Sequence, residues 1–440
     1  MNRLRKAVAL GSAALLACSL AACSSSSGDE GDVTITWWAT NLASSLERDQ
    51  EVLTPIIKRF TDETGIKVDF EVNDWGDYYN KVLGAVSSGE GPDVMSVGTT
   101  WTQTLADTGA FLQLDDKRMT AVGGRDKFLG PPLAAAGGDA KGGPSFLPMV
   151  SGVNNLWYNP KLFAAAGIDG PPRTWSEFVA DARALTKDTN GDGTIDQWGF
   201  GYPAGMAVEL SHLIFAVGRQ EGGQMFGTDG KPTLDSDGLV KAAKLITDLM
   251  ATDKVLSPAD VESTATTDTF QDFIDGRVAM TIGPSPVPTF TDAKFTDYAG
   301  ADMPLVEPLV GDPIMTHVAG VNIGVFAETK HEDAALKLMR YLTDEAAQVD
   351  FYRDFDVLPT NRATYDSPQI EKTPLFETYA NILAKHADTF PLNSKTGQAE
   401  TLIGDAMKQL FAQAALKGPL SEAQIRDVLT KANTQLIAAG

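Results

Sequence analysis

The sequence predicts an α/β protein built on a parallel sheet, and three patterns near its start predict it. Val33-Thr34-Ile35-Thr36-Trp37-Trp38 has the β-branched and aromatic make-up of a strand. Leu53, Ile56, Ile57 and Phe60 then recur at helical spacing up to Gly65, and Lys67 to Val72 alternates as a half-buried strand does. The unit repeats: Tyr79, Val82, Leu83 and Val86 mark a helix ending at Ser87-Ser88-Gly89, and Pro92 to Val97 opens a third strand. A helix between successive strands returns the chain to the same edge, so the strands run parallel. Ligands of such sheets bind beyond the carboxyl ends of the strands, which puts residues 39–42, 73–77 and 98–101 on one rim.

The second half is richer in helices. Thr174-Trp175-Ser176-Glu177 is a capping box that opens a helix with Phe178, Val179, Ala182 and Leu185 on its apolar face. Helical periodicity returns over Leu239–Met250, Ala334–Leu342 and Leu402–Ala415, and a second capping box at Ser421–Gln424 opens a last helix with Ile425, Val428, Leu429 and Leu436. No repeat of solenoid period is present.

The 440 residues suggest two large or three ordinary domains. With 36 basic against 58 acidic residues the net charge is −22, which excludes nucleic acid as a partner, since affinity for phosphate backbones rests on Lys and Arg. Arg3, Arg5 and Lys6 precede an apolar run from Ala7 to Leu20, the pattern of a secretory signal over residues 1–22 and too short to span a bilayer. Leu20-Ala21-Ala22-Cys23 resembles the bacterial lipobox, in which Cys23 is lipidated after cleavage. The polar stretch 24–32 reads as a flexible tether. The expectation is an extracytoplasmic chain anchored to the cell membrane by lipidated Cys23. Loss of Arg3, Arg5 and Lys6 would leave 33 basic against 58 acidic residues, a net −25, and Cys18 would go with the signal, so no internal disulfide is expected.

Hydrolase and nucleotide motifs are missing: there is no G-x-S-x-G, S-x-x-K, H-E-x-x-H, Walker A or G-x-G-x-x-G. His212, His317, His331 and His386 form no pair at i, i+3 or i+4. Carboxylates that meet only in three dimensions leave a glycosidase open. One stretch has metal-like spacing. Asp188, Asn190, Asp192, Thr194 and Asp196, with Gly193 at the sixth position, follow a calcium loop, although Gly199 stands where a bidentate Glu belongs. The alternative is a polar turn held by Asx hydrogen bonds. No cofactor is required, and structural calcium is the one metal considered.

Taken in order, several segments resemble the extracellular solute-binding lipoproteins (family 1) of carbohydrate ABC importers, to which maltose-binding protein belongs. They are Ile35–Trp38, Gly65–Val68, Gly91–Val94, Leu156–Phe163, Thr174-Trp175, Gly276–Pro284, Ala319–Asn322 and Tyr341–Glu345. The resemblance covers nearly the whole mature chain. It implies an α/β, two-lobed periplasmic-binding-protein-like fold of type II, each lobe a mainly parallel sheet flanked by helices. Residues 33–148 and 284–322 would form the first lobe, 149–283 the second, and 323–440 a helical segment completing both, mainly the second. Hinge crossings are expected near Pro148–Val153, Ile282–Pro286 and Gly320–Gly324.

The implied function is capture of a mono- or oligosaccharide between the lobes and delivery to importer permease subunits, by a chain expected to be monomeric. A lipid-anchored carbohydrate hydrolase, or a receptor for a peptide or polyamine, are the alternatives. A sugar needs aromatic plates for its C–H face and polar groups for its hydroxyls. Trp38, Trp75 and Trp101 are candidate plates on the rim, with core packing as the competing role for each; Trp37, Trp157 and Trp175 read as core. The resemblance adds Asn41, Ser151 beside Gly152, Met206, Glu209, His212, Pro284, Ser285, Gly320 and Asn322 as ligand-side positions. Where relatives commonly carry a stacking Trp after Pro284, this chain has Ser285-Pro286, with Tyr202 or Phe390 as candidate replacements.

Overall fold

The structure, a computed structural model, describes residues 33–307 and 314–439; the expected signal, Cys23 and tether lie outside the described residues. The described strands, in chain order, are β1 Thr34–Thr40, β2 Lys67–Asn73, β3 Val94–Gly98, β4 Phe146–Gly152, β5 Asn155–Tyr158, β6 Met280–Gly283, β7 Ala299–Ala301, β8 Thr316–His317, β9 Ala319–Val325 and β10 Ala387–Asp388.

The first lobe forms around a five-stranded sheet of order β2-β1-β3-β9-β4. β1 runs parallel to both β2 and β3, as the alternating segments require, whereas β9 is antiparallel to β3 and to β4. The helix Leu46–Thr64 starts where Ser45 Oγ accepts from Arg48 N and stops at Gly65, whose left-handed backbone donates to Thr61 O. Its Val52, Leu53, Ile56 and Phe60 cover one face of the sheet together with Leu338, Met339 and Leu342 from the helix Glu332–Leu342 and Phe351 from the helix Glu345–Phe355. The opposite face is covered by Tyr78, Val82, Trp101, Phe111 and Phe326. Each such large apolar side chain contributes about 1.5–3 kcal/mol by leaving water.

The second lobe is mostly helical around a three-stranded sheet in which β5 lies between β6 and β7. The first lobe fits the expectation of a mainly parallel sheet, but here both pairings are antiparallel. Parallel pairing in this lobe is limited to the two-residue pair of β8 with β10 and to single bridges such as Trp198 with Val278 and Gly201 with Thr281. The cause is topological: β5 carries the chain away from the hinge and β6 brings it back, so neighbours point opposite ways.

Three segments link the lobes. β4 passes into β5 through Val153-Asn154, β8 into β9 through Val318, and the stretch around Leu358 runs beside Ser151, with Ser151 N donating to Leu358 O (3.0 Å) and Leu358 N to Ser151 O (2.7 Å). The crossing expected near Ile282–Pro286 and the assignment of 284–322 to the first lobe need correction. β7 stays paired with β5, and Phe290 of the helix Val287–Asp292 packs on Phe270 and Phe273. Those aromatic side chains find a core only in the second lobe, so the chain returns to the first lobe at β9.

Gly320 makes that return possible. Its φ of +135° lies in the region that favours glycine, and a Cβ there would fall 2.2 Å from Val150 O. Gly320→Ala is therefore expected to lower unfolding free energy by at least about 2 kcal/mol in denaturant titration; unchanged stability would mean that the β4–β9 pairing tolerates a side chain.

Candidate functional site

The first-lobe rim is built by one buried carboxylate. Asp49, in the first turn of the helix Leu46–Thr64, accepts from the Asn41 side-chain amide, from Leu42 N (2.9 Å) and from Ala43 N (3.1 Å). Burial pushes its pKa up to about 6, with those donors opposing the shift. The loop after β1 is thus fixed, leaving Asn41 Oδ1 as that side chain's unused acceptor. Asn41 O accepts from Trp75 Nε1 (2.8 Å), which sets the half-buried Trp75 ring on the rim.

The other two candidate plates lie elsewhere. Trp101 is 6% exposed, with Tyr79 at 4.8 Å, Trp75 at 5.5 Å and Tyr78 at 6.0 Å between ring centroids. Trp38 lies within β1, two residues short of its end, with the Lys81 ammonium 4.1 Å over its ring. Trp37, Trp157 and Trp175 are core, as expected.

At the hinge, Ser151 holds backbone, Gly320 gives the chain its turn, and Asn322 bonds a first-lobe side chain. Ser151 Oγ donates to Ala319 O (3.2 Å), and Asn322 Nδ2 to Thr102 Oγ1 (2.7 Å). Next to them lies a buried polar cluster. Glu400, on the helix Thr396–Lys417 of the second lobe, accepts from Thr100 Oγ1 of the first lobe (2.9 Å) and pairs with His212 Nε2 (3.0 Å). Asn154 Nδ2 donates to Glu209 (3.4 Å), and the His317 ring lies 4.1 Å from that of His212. Burial raises the pKa of Glu209 and drives that of His317 well down; for His212 burial alone would lower it, but Glu400 and Glu209 outweigh this and raise it. Tyr202 is core, its hydroxyl donating to Glu209 O (2.7 Å), and Phe390 stacks on Phe215 at 4.3 Å, so neither offers a free ring face. Met206 is half-buried at the start of the helix Ala207–Gln220.

Interlobe contacts fall on opposite faces of the first-lobe sheet. Ser44 Oγ donates to Asp292 (2.6 Å) and Ser285 Oγ to Asp356, on the face covered by the helices Leu46–Thr64 and Glu345–Phe355. Thr100–Glu400, with Gly397 N donating to Thr104 Oγ1 (3.0 Å), lies on the other. At the ends of β4 and β6, Gly152 and buried Gly283 leave room: a Cβ at either would meet no atom within 4 Å. Half-buried Pro284 follows directly. Gly152 and Gly283 beside the links, with Asn41 and Trp75 on the first-lobe rim and Met206 at the start of a second-lobe helix, make up the candidate site.

The loop 188–196 is remote from it. Asp188 accepts from Gly191 N (2.6 Å) and Gly193 N (2.7 Å), Asn190 from Asp192 N (2.8 Å), Asp192 from Thr194 N (2.8 Å), and Asp196 from Thr189 N (2.8 Å). The first of Asp196's acceptor roles lowers its pKa. Among the described residues no group of three or more His, Cys, Asp or Glu is placed to hold a metal ion.

Sequence reading missed Asp49, Glu400, Thr100 and Asp356. Glu400 carried a signal: it sits one turn before Ile403 and two before Met407, an acid on an apolar stripe. Asp49 likewise shares the buried face of its helix.

Because His212 has a raised pKa, its pairing with Glu400 stabilises most below the ordinary 6.5 and fades as pH rises through the folded value. His212→Gln is accordingly expected to cost more melting temperature at pH 6 than at pH 8. Equal losses at the two pH values would show that the imidazole contributes only as a neutral hydrogen-bonding group.

Residues 43–349 match the family described as bacterial extracellular solute-binding protein. A Brucella abortus chain described as a binding protein is 28% identical over 347 residues, covering 77% of this chain and 78% of that one. The diacetylchitobiose binding protein DasA of Streptomyces coelicolor is 24% identical over 375 residues, covering 82% and 83%. Among solved structures, the maltose/maltodextrin-binding domain MalE from Bdellovibrio bacteriovorus bound to maltotriose has a similar fold, with a TM-score of 0.75 at 23% identity over 92% of this chain and 100% of that one. Two lobes and three linking segments agree with the family match, and the chain belongs to the bacterial extracellular solute-binding proteins.

Proposed function

We propose that the chain is the substrate-binding component of an ABC importer and that it captures a mono- or oligosaccharide between its lobes. The observation that carries this is the two-lobed fold of the solute-binding family with room for a side chain at Gly152 and Gly283 beside the links, while the half-buried Trp75 ring and Asn41 supply an aromatic and a polar group on the first-lobe rim. A ring face and neighbouring acceptors suit a pyranose. A relative named for diacetylchitobiose and a similar fold bound to maltotriose support the same class. Contacts to both lobes favour the closed form, and closure is what a permease would recognise. Binding and release need no covalent step. Lipidation at Cys23 would hold the receptor, as a monomer, beside its permease.

Melting the protein against maltose, maltotriose, diacetylchitobiose and tagatose is expected to reveal at least one sugar that raises the transition by a few degrees, since a ligand at 100 times Kd stabilises by about 2.7 kcal/mol. Gly152→Val and Gly283→Val should weaken that sugar at least about tenfold while changing the ligand-free transition little. A panel with no binder, together with hydrolysis of a glycoside, would replace the receptor reading with the hydrolase.

The loop 188–196 is proposed to work as an Asx-bonded turn without metal, because its carboxylates already accept backbone amides. Transitions in calcium and in EGTA should coincide. A rise of several degrees in calcium would assign the ion to Asp188, Asn190, Asp192, Thr194 and Asp196.

A further inference from the structure

Asp356 ends the helix Glu345–Phe355 in a left-handed conformation, φ 52° and ψ 36°, which a residue other than glycine adopts rarely. Strain of that kind persists where the surroundings hold it, and it gathers at functional sites. Here it aims a half-buried carboxylate at the junction of the lobes. Its one side-chain donor among the described residues is Ser285 Oγ from the second lobe. It has no ion-pair partner among them, although two arginines are close: Arg59 is taken by Asp350, and Arg353 by Asp350 (2.8 Å) and Asp354 (2.6 Å).

The surroundings of this carboxylate are those of a binding corner. Tyr298, Tyr352 and Tyr379, from three different segments, all have pKa values raised first by burial and then by the charge of Asp356, that of Tyr352 to about 12. The Tyr379 hydroxyl lies by Ser285, and Asn155 Oδ1 is buried without a hydrogen-bond partner among the described residues. Asn155 is paired directly across from Gly283, where a Cβ would meet nothing within 4 Å. Asp356 and Tyr352 also line an open groove of about 670 Å³ along the helix Glu345–Phe355, shared with the charged side chains of Arg59, Asp350, Arg353 and Glu371. Burial raises the carboxyl pKa to about 6, with Ser285 opposing, so it is mostly ionised at neutral pH.

We propose that Asp356 is a solute-specificity residue, its carboxylate set at the lobe junction to accept paired hydroxyls from the end of the solute, with Ser285 occupying it in the solute's absence. The inference rests on the sugar reading above and deepens it by naming where the hydroxyl end lies. An uncharged polyol end fits because one carboxylate accepts two donors while the tyrosine rings cover C–H groups.

The test is isothermal titration of the full chain with maltotriose and with diacetylchitobiose, comparing wild type, Asp356→Asn and Ser285→Ala. Asp356→Asn is expected to weaken the bound sugar at least about tenfold, and Ser285→Ala by less than about threefold. Asp356→Gly, which takes the left-handed backbone without strain, replaces the Asn variant if that one fails to fold. A wild type that binds neither of these, nor maltose or tagatose, overturns the sugar reading and this inference with it. A wild type that binds while Asp356→Asn binds equally well overturns this inference alone. If Ser285→Ala costs as much as Asp356→Asn, the pair is an interlobe latch and the proposal is likewise wrong.

Discussion

β9 enters the first-lobe sheet from the second lobe and fits antiparallel between β3 and β4, and the geometry of the whole molecule depends on that insertion. Because β9 starts at Ala319, opposite Gly152 at the end of β4, the first and second links leave the sheet on neighbouring strands. The third link is fastened to the same place by the two hydrogen bonds between Ser151 and Leu358. Three chain segments bound side by side resist sliding, since sliding would break ladder hydrogen bonds in a buried setting. Bending about the line they share breaks none. The lobes are therefore free in one rotation and constrained in the rest.

That axis gives the contacts on either side opposite meanings. Ser44–Asp292 and Ser285–Asp356 lie on one face of the sheet, Thr100–Glu400 and Thr104–Gly397 on the other. A rotation that shortens the first set lengthens the second. Glu400 is buried and paired with His212, so parting it from Thr100 removes one hydrogen bond from a charged group, a loss of about 1.5–3 kcal/mol before water replaces it. The solute's contacts must exceed such terms for closure to follow binding. Affinity is then set partly by residues that never meet the solute.

The sheet of the first lobe was legible in the sequence because its signals are local. Period-two alternation in Lys67–Val72 and period-3.6 spacing from Leu53 to Phe60 are properties of short windows, and the caps at Gly65 and Gly89 are where the glycines imply. The return of the chain to the first lobe was not, since residues 284–318 carry no periodicity that distinguishes one lobe from the other. Their place is fixed by Phe290 meeting Phe270 and Phe273, a contact between distant segments. The rim split the same way. Trp75, Trp101 and Trp38 look alike as residues near strand ends, yet the hydrogen bond to Asn41 O, the aromatic shell of Tyr78 and Tyr79, and the Lys81 ammonium give them three different environments. No count along the chain separates those.

The opening charge imbalance gains meaning at the junction. Asp292 and Asp356 stand at the interlobe contacts on one face of the first-lobe sheet, Glu209 and Glu400 at those on the other, where His212 pairs with Glu400. An anionic solute entering there would lose its hydration and meet like charges at short range, which costs several kcal/mol in a partly dry site. A neutral polyol meets the same groups as acceptors for its hydroxyls, and burying them against donors offsets their own desolvation. Such a junction discriminates by charge before it discriminates by shape. On the proposed reading, with the half-buried Trp75 ring as the aromatic face and Ser285 after Pro284, recognition would rest more on hydrogen bonds to buried acceptors than on stacking. Those bonds are the kind that separate one hydroxyl pattern from another, because a mismatched sugar leaves a buried carboxylate unpaired.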